Sequence, residues 1–140
     1  MARINRRVSI SRDTYHDYFK VAESFYSGAN LAKEFEYWNA AGVLIIHAAI
    51  AYTDAITIKI GGVKSQGEDH MAVIDLIRQV VILGEDGLRA VNHLSRMIEQ
   101  KNIVSYSGEI YTRPNIEQLW KHLERYKTWT NTILSPQGIP

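Results

Sequence analysis

From Tyr15 onward, apolar residues recur at intervals of three and four: Tyr15, Tyr18, Phe19, Ala22, Phe25, Tyr26 and Ala29. That spacing is the buried stripe of an α-helix. Ser11 before Asp13 predicts its start, with Ser11 as N-cap and the aspartate near the positive helix end. A second helical run extends from near Tyr37 to Lys59 and turns Leu44, Ile45, Ala48, Ala49, Tyr52, Ala55 and Ile56 inward. Its alanines let a neighbouring helix approach closely. Ile56 to Ile60 has strand-like alternation but no partner strand, and reads as the last turns of this helix. Gly61-Gly62 stops it, and Val63 to Gly67 reads as a polar loop. Glu68-Asp69 opens a third helix with Ile74, Ile77, Val80 and Val81 inward, closed by Leu83-Gly84. Glu85-Asp86 opens a fourth, carrying Leu88, Val91, Leu94, Met97 and Ile98 to about Val104. A connector from Ser105 to Arg113 precedes Pro114, which suits the first turn of a last helix bearing Ile116, Leu119, Trp120, Leu123 and Tyr126.

Five helices with short connectors and no repeat of solenoid length predict an all-α, antiparallel up-and-down bundle over residues 11 to 134. A flexible basic arm (1 to 10) precedes it and a loose tail (135 to 140) follows. The 140-residue length and 46% apolar content suit one domain with a real core. The longest apolar stretch, Ala40 to Tyr52, falls short of the ~20 residues of a membrane span. Basic residues near the start have no apolar run behind them, unlike a secretory signal. A soluble, cytoplasmic protein without membrane contact is the expectation. Having no cysteine, the chain has neither disulfides, thiolate nucleophiles nor cysteine-based zinc sites.

Sixteen Lys and Arg against 15 Asp and Glu leave a net charge of +1, so any contact with a polyanion must be local. Arg3, Arg6, Arg7 and Arg12 form one basic cluster, whose ordinary reading is a solvated terminus. The five histidines, His16, His47, His70, His93 and His122, fall on separate segments without zinc-ligand spacing, and no metal or cofactor is expected. His47 and Asp54, seven residues apart, share a helix face about 10 Å apart and read as interhelical tethers, with Tyr52 or the helix-one tyrosines as candidate partners. Gly61-Gly62-Val-Lys64-Ser65 lacks the spacing of a phosphate loop, but Lys64, Asp69 and His70 near a helix start could meet an anion. Lys101, Asn102 and Tyr106 could together bind phosphate and stack on a base.

The order Ala40 to Asp54, then Gly61-Gly62-x-Lys64-Ser65-x-Gly67-Glu-Asp69-His70, then Lys101-Asn102-x3-Tyr106-Ser-Gly and an amphipathic last helix resembles the HEPN domain superfamily over residues 11 to 134. The resemblance implies a helical bundle that pairs as a homodimer. It also implies kinship with RNA-cleaving toxins, partners of minimal nucleotidyltransferases in toxin–antitoxin-like systems, and RNA- or nucleotide-binding modules. Active nucleases of that superfamily carry Arg-x4-6-His. Here the nearest matches, Arg12-x3-His16 and Arg89-x3-His93, are one residue too close, and the region resembling the motif reads Lys101-x4-Tyr106. Tyrosine, with an ordinary pKa near ~10, is a poor general base at neutral pH.

The expectation is therefore a non-catalytic HEPN-like module for RNA or nucleotide, or a nucleotidyltransferase partner. Its candidate residues are Lys101, Asn102 and Tyr106, then Asp54, His70 and Lys64. The alternatives are a metal-independent ribonuclease with an atypical site, and a purely structural helical partner.

Overall fold

The computed structural model describes residues 7–66 and 70–135. It is an all-α bundle: α1 (Tyr15–Glu34), α2 (Trp38–Gly61), α3 (His70–Val80), α4 (Glu85–Glu99), the short α5 (Lys101–Tyr106) and α6 (Arg113–Leu134). Two strands, β1 (Arg7–Ser9) and β2 (Val63–Ser65), pair antiparallel with Val8 opposite Lys64.

α2 is the central helix. Its residues are apolar on nearly every side, and a helix without a polar face is stable only when surrounded. Ala41, Ile45, Ile46, Ala48, Ala49 and every residue from Ala51 to Ile58 are buried, with α1, α6, α3 and α5 packed about it. By length and composition this helix could also cross a membrane, but most of it lies inside the bundle. α1 meets it through Ala22, Ala29 and Ala32, while its aromatic residues flank that seam half-buried. Gly42 allows the closest approach: a Cβ there would lie 2.7 Å from Val104 Cγ2 and 3.3 Å from Ile116 Cδ1.

Capping follows local chemistry. Gly62 takes the left-handed conformation (φ 66°) and its N–H donates to Ile58 O, ending α2. At the start of α6, Asn115 Oδ1 accepts both the Thr112 N–H and its hydroxyl, each at 2.9 Å, and Pro114 lies in the first turn. Between α1 and α2, Glu36 adopts a positive φ of 64°, which a non-glycine side chain tolerates only with strain.

Four expectations change. The arm is not wholly free: Arg7–Ser9 forms a strand, and its partner is the segment read as a polar loop. The Ile10 N–H donates to Gly62 O and extends that anchor. Ser11 is no side-chain cap. Its carbonyl instead accepts the Thr14 N–H and hydroxyl, forming a 3-10 turn (Arg12–Thr14) before α1. The fourth helix breaks at Gln100, whose side-chain oxygen accepts the Tyr111 hydroxyl at 2.5 Å. Leu88 is 52% exposed, because α4 turns Ala90, Val91 and Leu94 inward instead. The proposed acidic start of α3 at Glu68-Asp69, and the tail beyond Ser135, lie outside the described residues.

Candidate functional site

The six residues singled out from sequence lie in separate parts of the bundle. Lys101, Asn102 and Tyr106 share α5, with Tyr106 78% exposed. α5 packs near the first turns of α2, where Asn39 Nδ2 donates to Val104 O at 3.2 Å and Glu109 O at 3.0 Å. Asn39 Oδ1 accepts the Tyr111 N–H at 2.9 Å, so one amide side chain secures the whole connector between α5 and α6. Asp54 and Lys64 belong to the opposite half of α2 and to β2. The Lys64 ammonium donates to Ser65 O and lies 5.7 Å from the Tyr18 ring centre. His70 begins α3; its side chain lies outside the described residues.

Asp54 is buried, and loss of hydration pushes its carboxyl up to about 7, against a smaller lowering pull from Lys64. Its surroundings are polar core: Thr53 and Tyr126 hydroxyls meet at 2.6 Å, and burial raises the Tyr126 phenol. Nearby, Tyr52 donates to Glu23, and Tyr26 donates to Glu124 at 2.7 Å. Lys127 approaches Glu23 to 3.7 Å and covers the Tyr26 ring, closing a tether between α1, α2 and α6. His47 packs its ring edgewise on Phe25 of α1 at 6.0 Å, which ties α2 to that helix.

The most concentrated chemistry lies where α4 and α6 face each other. His93 Nδ1 and His122 Nδ1 are 2.9 Å apart. Both helices place the histidine in the same short sequence, His93-Leu-Ser-Arg96 and His122-Leu-Glu-Arg125. The intervening Leu94 and Leu123 are fully buried, so each leucine enters the core while its histidine and arginine, three residues apart, share the neighbouring face. Arg89 adds a further cation one turn before His93, tied to Asp86 at 2.5 Å. Among the described residues, Arg96, Lys121 and Arg125 form no salt bridge.

Clefts open on either side of the imidazole pair. One is bounded by Arg96, Glu99, Gln100, Tyr111, Asn115 and Gln118. The other lies between Asp86, Arg89, Arg125, Thr128 and the half-buried Trp129. Burial lowers the His93 pKa, with a further push from Arg125. Burial also lowers His122, followed by repulsion from His93, Arg96, Arg125 and Lys121. At 2.9 Å one Nδ1–H donates to the other ring's lone pair, and with both pKa values lowered from the ordinary 6.5 the pair is chiefly neutral at neutral pH.

No set of three or more potential metal ligands occurs among the described residues. Arg89, Arg96, Lys121 and Arg125 face Asp86, Glu99 and Glu117 around these clefts, a surplus of one positive charge, which suits an oxyanion better than a cation. Sequence reading placed these two histidines on separate segments and did not pair them; the repeated His-Leu-x-Arg is the signal that links them. No protein-family model matches the chain, and no curated protein matches it significantly.

Proposed function

We propose that this chain is a HEPN-like helical module that binds RNA or a nucleotide through the face shared by α4 and α6, without cleaving it. The observation that carries this reading is the joined His93–His122 pair beside three cations that form no salt bridge among the described residues. Arg96, Arg125 and Lys121 supply charge-assisted donors to phosphate oxygens, and arginine's planar fork suits that group especially well. Trp129, alongside Arg125, offers a ring face on which a base can stack. In this reading the α4–α6 face replaces Lys101, Asn102 and Tyr106 as the principal phosphate contact, and the exposed Tyr106 is a secondary one. A cytoplasmic setting, a homodimer and a nucleotidyltransferase-type partner accompany the resemblance and belong to the same proposal.

The test is binding of a short single-stranded RNA at low and moderate salt. Binding weakens as salt rises, and the double variant Arg96→Gln/Arg125→Gln loses at least tenfold in affinity. An unchanged affinity in that variant removes the site, and no RNA or nucleotide binding at low salt leaves the structural-partner reading.

Metal-independent RNA cleavage is the second reading, favoured specifically by two imidazoles in contact. One could take the 2′-hydroxyl proton while the other protonates the leaving 5′-oxygen, with an arginine on the phosphate. RNA that stays intact in excess chelator, over hours with the protein, excludes it.

A further inference from the structure

We infer that the paired His-Leu-x-Arg segments form a receptor for a terminal phosphate dianion, as on a nucleoside monophosphate or a 5′-phosphorylated RNA end, and that this group is bound together with a proton. The inference rests on the phosphate-binding reading above and narrows it to one ligand class.

In the free protein the 2.9 Å contact requires one Nδ1 to be a donor and the other an acceptor. If both Nδ1 atoms carried protons, they would repel each other. An anion placed over the pair changes this, because each Nδ1–H can then donate to a different phosphate oxygen. The added proton goes to the acceptor ring's Nδ1 while its Nε2 keeps its own, so that ring becomes an imidazolium beside the dianion and one internal hydrogen bond becomes two directed outward; a shift of that ring's proton from Nε2 to Nδ1 would free both donors without uptake, which the proton count distinguishes.

The charges around the pair oppose that proton until the ligand arrives. α4 presents Arg89, Arg96, Asp86 and Glu99, with Arg89 engaged by Asp86. α6 presents Lys121, Arg125 and Glu117, and the connector adds the neutral Tyr111. Burial first, and then repulsion from the nearby cations, holds the imidazoles neutral. A doubly charged ligand offsets more of this repulsion than a singly charged one.

This favours a terminal phosphate over an internal phosphodiester. A terminal phosphate has a second pKa near ~6 and is chiefly dianionic at pH 7.5, with three free oxygens. A phosphodiester carries one charge and two free oxygens. Two imidazoles and two arginines, approaching from facing helices, offer more donors than those two oxygens can align.

The experiment is titration calorimetry at pH 7.5 and low salt, repeated in buffers of different ionisation enthalpy. The probes are inorganic phosphate, adenosine monophosphate, adenosine, and one oligoribonucleotide prepared with a 5′-phosphate or a 5′-hydroxyl. Adenosine monophosphate should bind and adenosine should not. The 5′-phosphorylated oligonucleotide should bind at least tenfold tighter than its 5′-hydroxyl twin. Binding should take up a proton, seen as a buffer-dependent heat, and His93→Gln or His122→Gln should abolish that uptake. The exposed Lys121→Gln should weaken binding while leaving proton uptake in place, which keeps the test informative if a histidine variant folds poorly.

Inorganic phosphate binding as tightly as adenosine monophosphate also supports a terminal-phosphate receptor, and shows that the base contributes little. Equal affinity for the two oligonucleotides, lost in Arg96→Gln/Arg125→Gln, overturns this inference while leaving RNA binding intact. Binding without proton uptake in the parent protein overturns the proton coupling. If none of the probes binds, the inference and the reading beneath it both fail.

Discussion

Asp54→Asn tests the energetics of the buried polar core. In an unfolded chain this carboxyl titrates near 3.8, whereas burial in α2 raises it to about 7. Below pH 3.8 both states hold the proton. Between those values the folded protein retains a proton that the unfolded chain has released, so stability falls as pH rises through the window. Above about pH 7 the loss is complete and levels off. A change of this size corresponds to about 4 kcal/mol, already reduced by the attraction of Lys64. Asparagine keeps the shape and carries no titrating charge. Urea unfolding followed by circular dichroism should therefore show Asp54→Asn more stable than the parent by about 3–4 kcal/mol at pH 8, a midpoint shift of roughly 1–2 M. The advantage should shrink steadily as pH falls towards 4. A stability difference that is flat from pH 5 to 8, or a variant less stable than the parent at pH 8, would refute the assignment of a desolvated, proton-retaining carboxyl.

Three further substitutions probe packing and hydrogen bonding in the same assay. Gly42→Ala should destabilise by about 1–3 kcal/mol despite alanine's better helix propensity, because the new methyl meets the stiff Val104 side chain at 2.7 Å; a gain in stability would show that α5 yields readily. Thr130→Val should stabilise by up to about 1 kcal/mol, since the Thr130 hydroxyl is buried without a partner among the described residues. A loss beyond about 1 kcal/mol would mean that the hydroxyl is satisfied. Asn39→Ala removes hydrogen bonds to Val104, Glu109 and Tyr111 and should cost about 2–3 kcal/mol, with faster amide exchange in the connector before α6. Unchanged exchange at Tyr111 would show that the capping of α6 alone holds that segment.

Legibility in sequence followed the range of the interaction. The helical period and the glycine stop after α2 reflect neighbours within one or two turns, so the long helices and the close of α2 could be read directly. The β1–β2 pair could not: each strand is three residues long, and Val8 finds Lys64 only after α1 and α2 have folded back. Likewise, neither proline nor glycine marks the break at Gln100, whose partner Tyr111 lies beyond α5. Leu88 fits the apolar period of α4 yet falls on its exposed side, because period alone does not say how wide the covered stripe is. For the candidate site, residue types were visible but their meeting was not. Lys101, Asn102 and Tyr106 are neighbours on one short helix, whereas Asp54 and Lys64 belong to the other half of α2. The histidine pair depends on the relative alignment of α4 and α6, which single-helix periodicity does not specify.

The two buried leucines give that pair an unusual dependence. Leu94 and Leu123 each sit directly after a histidine and two residues before an arginine, so the core works as a jig for the groove above it. Inserting one residue ahead of either leucine would swing the following side chains through about 100°. The helix could then keep its leucine inside or its histidine in the groove, but not both. A repair would have to shift a whole turn of apolar residues together, so evolution or a designer could retune the groove by point replacement far more easily than by changing helix length.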